Sequence, residues 1–268
     1  MTNERAKTLV EDAITRLADL LESGHSDTLT AYLATLARFH RYSFGNALLI
    51  FFQRPDATRV AGFQAWRRLG RIVKRGEKGI AILAPCVYRR QDEGDSPPVL
   101  DEPDEQRVRG FKVAHVFDVS QTHGDPLPEF ATVRGDPGVY LPRLKELVTA
   151  KGIALEYTDR LHGADGASSG GRIQLRRGLD PGDEFGVLVH ELAHEVLHHG
   201  GEPKPKQTVE LEAEAVAYTV CRAVGLDTNT AASDYIQLYH GNRQDLAAAL
   251  STIQRTASAI LGDLRLDG

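Results

Sequence analysis

The sequence predicts an α+β fold in two domains, residues 1–124 and 129–268, and three observations point to it. Apolar residues recur at helical spacing through the first fifty residues and again through much of the second half. Between them, short alternating runs at 58–63, 80–85 and 111–118 read as strands. The third observation is the stretch 187–198, an apolar run broken at fixed intervals by imidazoles and acids. At 268 residues the chain is long enough for one large or two modest cores. The first residues, Met1-Thr2-Asn3-Glu4-Arg5-Ala6-Lys7, carry no apolar signal region, and no later run approaches a membrane span, so a cytoplasmic protein is expected. Cys86 and Cys221 are far apart and lack C-x-x-C partners, which suits small buried residues in a reducing compartment.

Taken in order, Leu9, Val10, Ala13, Ile14, Leu17, Leu20 and Leu21 mark a first helix, stopped by Gly24. His25-Ser26-Asp27 caps a second, with Leu29, Tyr32, Leu33, Leu36 and Phe39 as its stripe. A third covers 42–50 and closes at Arg54-Pro55; a short helix at 64–69 carries Trp66. Gly76 and Gly79 turn the chain into the strand at 80–85, and an acidic stretch at 91–105 reads as a solvated loop between two strands. The turn-rich 124–128 marks the domain boundary. Beyond it come a helix at 140–150, a strand at 153–157, a flexible Gly/Ser-rich turn at 163–171 and a strand at 172–177. The strand at 172–177 is the expected cleft edge for an extended peptide. Asp180 as N-cap and Pro181 at the first position start the next helix, and segments 231–240 and 242–261, the latter capped by Asn242, complete the chain.

The chemistry is concentrated in His190-Glu191-Leu192-Ala193-His194. On a helix, His190 and His194 lie one turn apart on one face, the spacing at which two imidazole nitrogens close on one divalent ion. Glu191 then stands where it can deprotonate a water on that ion, the arrangement of a zinc site that keeps an open position. The bland alternative is a buried helix whose histidines happen to fall four apart. A gluzincin-type site takes its third ligand from a carboxylate on a later helix. Glu210 is the predicted ligand, favoured over Glu212 and Glu214, and Glu214 is then the predicted acceptor for the far N–H of a ligating imidazole. Ala213 and Ala217 would let that helix approach closely. His198 continues the first stripe, but it stands roughly 12 Å along the axis from His190, too far to share the ion. His199-Gly200-Gly201 reads as the helix stop. Tyr235, Tyr239 and His240 are either oxyanion donors opposite the base or core aromatics.

Residues 53–90 carry ten basic residues against two acidic ones, Asp56 and Glu77, an electrostatic footprint for phosphate. Phe63, Trp66 and Tyr88 are interleaved with them, the mixture that single-strand binding needs. The candidate nucleic-acid contacts are Arg59, Trp66, Arg67, Arg68, Arg71, Lys74, Arg75 and Lys78. The alternative is a solvated face of arginines around core aromatics.

Four motifs then occur in order: Tyr42-Ser43-Phe44-Gly45-Asn46-Ala47-Leu48-Leu49-Ile50, Ala57-Thr58-Arg59-Val60-Ala61-Gly62-Phe63-Gln64-Ala65-Trp66, Gly76-Glu77-Lys78-Gly79-Ile80 and Val116-Phe117-Asp118-Val119-Ser120-Gln121-Thr122. Followed by H-E-x-x-H, they resemble the ArdC antirestriction proteins over nearly the whole chain. The resemblance implies an N-terminal α+β domain that binds single-stranded DNA, a zincin-like metallopeptidase domain holding Zn2+, and a role in protecting incoming DNA from restriction. The wording Glu-Leu-Glu-Ala-Glu at 210–214 stands between ArdC and the ImmA/IrrE peptidases. Two other readings therefore stay open: an ImmA/IrrE-like regulatory peptidase that cuts a repressor, and a DNA-binding protein in which zinc only pins two helices.

Overall fold

Three helices open the chain: α1 (Asn3–Glu22), α2 (Asp27–Arg38) and α3 (Phe44–Gln53). They are followed by β1 (Val60–Gly62), α4 (Phe63–Arg68), β2 (Arg71–Val73), β3 (Ile80–Tyr88), β4 (Arg107–Asp118), a 3-10 turn (Val119–Gln121) and β5 (Thr122–Gly124). The second half contains α5 (Tyr140–Ala150), β6 (Ala154–Thr158), β7 (Gly166–Ser168), β8 (Arg172–Arg176), α6 (Pro181–Leu197), α7 (Lys206–Ala223) and α8 (Arg243–Asp263). This computed structural model describes residues 3–25, 27–88, 107–125, 135–161, 164–198, 204–227 and 243–265. The expected acidic loop, the Pro126–Pro128 part of the boundary, the stop at 199–201, the cap Asn242 and the candidates Tyr235, Tyr239 and His240 lie outside the described residues. The fold is mixed α+β, and no helix among the described residues is long and apolar enough to cross a membrane.

Ser43 rather than Tyr42 begins α3, because its side chain accepts from the Asn46 amide at 3.3 Å. The helix then lies along β3, an outer strand of the antiparallel sheet β1-β4-β3. Two amide side chains satisfy the strand's exposed edge: Asn46 donates to the Leu83 carbonyl at 2.9 Å and accepts its N–H at 2.8 Å. Gln53 does the same at Ala81, at 2.9 Å each way. An edge that would otherwise be open to another chain is thereby closed. Between helix and sheet sits a small core of Phe39, Ile50, Ala57, Ile80, Ile82 and Val116.

The 116–122 motif is a structural staple. Asp118 is 2 % exposed, and its carboxylate accepts from the amides of Thr58 and Arg59 and from the amide and hydroxyl of Ser120, at 2.7–3.1 Å. Gln121 accepts from the Asp118 amide at 2.9 Å and donates to Glu77 at 2.9 Å and to the Lys78 carbonyl at 2.8 Å. The two side chains join the ends of β1, β4 and the 74–79 loop. β5 pairs antiparallel with β2.

A larger core is shared along the chain. Leu17, Leu33 and Leu48 of the first helices belong to the same buried cluster as Leu188, Val216 and Leu250 of α6, α7 and α8. The N-terminal helices are therefore packed onto the second half, while the three-stranded sheet keeps a core of its own. In the second half β8 is central, parallel to β6 and antiparallel to β7. The strand expected to offer the cleft edge is thus paired on both sides, and among the described residues β7 is the outer strand on the cleft side. Asp180 is the N-cap of α6 but makes no side-chain capping bond; Pro181, with its fixed φ, starts the helix. Tyr157 of β6 and Lys145 of α5 both bind Glu184 in its first turn, at 2.5 and 2.7 Å, and set its position.

Candidate metal centre

Helix α6 brings His190 and His194 to one face, and their Nε2 atoms stand 3.0 Å apart. Helix α7 packs against α6, and Ala213 and Ala217 on it are buried, Ala217 lining the same cleft. Glu210 Oε2 lies 3.6 Å from His190 Nε2 and 3.4 Å from His194 Nε2. Donor atoms about 2.0–2.1 Å from a tetrahedral zinc stand about 3.3 Å from one another, so the three atoms are spaced as such an ion requires. On the other side of the first ring, Glu214 Oε2 lies 3.3 Å from His190 Nδ1. Burial alone lowers the His190 pKa, but Glu214, Glu191 and Glu210 outweigh it and raise it; burial and His190 push His194 the opposite way. Glu212 faces elsewhere, buried and held by Lys204 Nζ at 2.7 and 2.8 Å. His198 caps α6 with its ring centroid 5.6 Å from that of His194, and its Nε2 is buried without a hydrogen bond among the described residues.

Glu191 is 7 % exposed in the wall of a cleft of about 1240 Å³ that also contains the three candidate ligands. Burial raises its carboxyl above the ordinary value, against the opposing pull of His190 and the Ser168 hydroxyl. β7 runs along this wall, where Gly166, Ala167 and Ser168 line the cleft. A Cβ on Gly166 would come within 2.7 Å of Glu191 Oε1. Glycine is needed there because the acid occupies the space, a role that the composition of 163–171 alone does not show.

The basic stretch divides into used and unused charges. Arg71 donates to Thr122 Oγ1 at 2.8 Å and to the carbonyls of Gly124 and Asp125, and Lys74 donates to the Ser120 carbonyl at 2.8 Å. Arg67, Arg68, Arg75 and Lys78 are exposed and have no partner among the described residues. Arg59 is half-buried in the strand-like segment before β1. Trp66 is 2 % exposed and donates from Nε1 to the Phe117 carbonyl at 2.8 Å, so its ring is core and offers no face to a base. Among the described residues of this half, the exposed aromatics are Phe63, at 44 %, and Phe111, at 48 %. Val113, His115 and Phe117 alternate with core residues on β4, and Gly79 approaches His115 and Phe117 so closely that a Cβ would stand 2.9 and 3.1 Å away.

Residues 6–119 match the family described as the N-terminal domain of anti-restriction factor ArdC, and residues 143–221 match the IrrE N-terminal-like domain. An uncharacterized protein of Bacillus anthracis is 28 % identical over 272 residues, a region covering 85 % of this chain and 46 % of that protein. The chain thus spans about half the length of this relative. Two crystal structures of the antirestriction ArdC protein from plasmid R388 share the fold. The metal-free one aligns with a TM-score of 0.52 at 16 % identity, covering 82 % of this chain and 84 % of that one. The Mn(II)-bound one aligns with 0.58 at 14 %, covering 95 % and 97 %. The chain is therefore ArdC-like, its ArdC-type N-terminal region joined to an IrrE-like C-terminal region.

Proposed function

We propose that this is an antirestriction-type protein that binds single-stranded DNA through residues within 1–124 and hydrolyses peptide bonds in a zincin-like domain within 129–268. The observation that carries the second half is the convergence of His190, His194 and Glu210 beside a buried acid, Glu191. These three side chains would hold one divalent ion, Zn2+ by the chemistry of the donors; the R388 relative was crystallised with Mn(II). Such an ion supplies Lewis acidity and draws the pKa of its water toward neutrality. Glu214 orients the His190 ring. Glu191, buried beside the candidate ligands, accepts the proton of the attacking water and passes it to the departing amine. The outer edge of β7 receives the peptide in extended form. DNA lies across the exposed Arg67, Arg68, Arg75 and Lys78, with Phe63 rather than Trp66 available for stacking. Unpaired Cys86 and Cys221 fit action in the cytoplasm.

Glu191→Gln is the test. Metal content and single-strand affinity should be retained, while peptide hydrolysis and protection of DNA in a cell should be lost. Protection that survives the substitution would leave zinc a structural role only. The IrrE-like match favours a second reading, in which the protein cut is a repressor; cleavage of a regulator with no effect of single-stranded DNA on the rate would select it.

A further inference from the structure

The turn after β7 contains a device that the reaction above does not use. Three successive amides, those of Ser169, Gly170 and Gly171, donate to one carboxylate, Glu195, at 3.1 and 2.9 Å to Oε1 and 2.7 Å to Oε2. Consecutive amides converge on an anion when the backbone enters the left-handed region, and Gly170 and Gly171 have φ of +66° and +83°. Bonds from amides to an ionised carboxylate are strong ones. Glu195 is one helical turn beyond Glu191 on α6, so both acids leave the same face. Glu191 lies against Gly166 and Ser168, and Glu195 grips the turn that follows. The helix that carries the candidate ligands thus holds β7 at both ends.

The register of β7 shows what is held. Arg176 donates to the Asp165 carbonyl at 2.8 Å and Ser169 donates to the Arg172 carbonyl at 2.9 Å, so odd-numbered residues turn their polar groups to β8. By the alternation of an antiparallel ladder, Gly166 and Ser168 turn theirs to the outer edge, which no strand among the described residues pairs, and both line the cleft. Resting on the peptidase reading, we propose that Glu195 is a positioning residue for the substrate. It keeps β7 at the height where the outward N–H and C=O of Gly166 and Ser168 pair with an extended peptide, and so determines which peptide bond lies beside Glu191.

Glu195→Gln tests this in the full chain loaded with Zn2+, because the amide keeps the shape but turns a donor toward one of the three N–H groups. Amides 170 and 171 should lose protection in hydrogen exchange, Ser169 keeping its ladder bond to the Arg172 carbonyl, and KM for extended peptides should rise about tenfold or more. The kcat, the KM of a blocked dipeptide and the affinity for Zn2+ should stay within about threefold. Gly171→Ala approaches the clamp from the other side: its Cβ meets nothing within 4 Å, but the residue must hold φ of +83°, so the same shift in KM is expected. Loss of protection with unchanged KM would overturn the proposal, as would a fall in kcat and Zn2+ affinity with KM unaltered. If the wild type cleaves no peptide, the peptidase reading itself has failed. The clamp is then read from binding of a labelled extended peptide to Glu191→Gln protein, and equal affinity with and without Glu195→Gln would overturn it.

Discussion

One methyl group at residue 166 measures how tightly the proposed base is held. In Gly166→Ala the new Cβ would stand 2.7 Å from Glu191 Oε1, 2.8 Å from its Cγ and 2.6 Å from Val187 Cγ1. Gly166 is not in the left-handed region, so alanine adds volume without backbone strain. Ordinary contact begins near 3.4 Å, which requires the Glu191 side chain to withdraw by about 0.7 Å. Val187, on the same helix, is also in the way, so sliding β7 along α6 gives no relief. A misplacement of about 1 Å near the chemistry can cost on the order of a hundredfold, so kcat for peptide hydrolysis should fall roughly 10- to 100-fold. The candidate ligands are not touched, and Zn2+ affinity should change by less than about threefold. Steady-state hydrolysis and calorimetric Zn2+ titration on the same preparation read both quantities. Hydrolysis at the wild-type rate would show that Glu191 is not held against β7. Parallel loss of metal would show that residue 166 supports the ligands instead.

Two further outcomes concern the N-terminal half. Asp118→Asn leaves one acceptor and turns an NH2 toward backbone donors, at a cost of about 3–5 kcal/mol in urea unfolding, with single-strand affinity of the folded protein unchanged. Burial alone would raise the Asp118 pKa, but bonds from Ser120, Thr58 and Arg59 outweigh it and hold it below the ordinary value. Its contribution is therefore complete above the unfolded carboxyl pKa of about 3.9 and is lost as pH falls through the lower folded value. The stability gap between wild type and variant should narrow on the acid side, and a gap constant down to about pH 2 would refute the assignment. Arg67→Ala and Arg68→Ala should each reduce the salt slope of single-strand binding, measured by fluorescence anisotropy, by about 0.7 per phosphate contact removed. An unchanged slope would take the DNA elsewhere.

Much of the helical framework was legible from the sequence because its signals are local. The stripe at 140–150 coincides with α5, and Pro181 starts α6 where it should. The spacing of four places two imidazoles on one helix face, and the later acidic helix contributes Glu210. Three elements were not legible: β2, β5 and β7 have three residues each, too few for a period, and exist because partners distant in sequence pair with them. The Gly/Ser-rich segment at 163–171 reads as a flexible turn, yet part of it is β7, and Gly166 lies against Glu191 while Gly170 and Gly171 donate to Glu195. Trp66 among arginines looks the same whether it faces in or out. α4 turns Trp66 into the core and leaves Arg67 and Arg68 exposed. Likewise Asp118 and Gln121, which helped carry the family resemblance, saturate backbone groups of their own chain.

The central claim is that His190, His194 and Glu210 hold one divalent ion beside Glu191, and calorimetric titration of metal-free protein with Zn2+ and with Mn2+ tests it most directly. One equivalent should bind to the wild type. Glu214→Gln should weaken binding about 10- to 100-fold, the usual cost of losing the partner of a ligating imidazole, and Glu210→Ala should weaken it more. A wild type that takes up no ion, or a Glu210→Ala variant with unaltered affinity, would contradict the account.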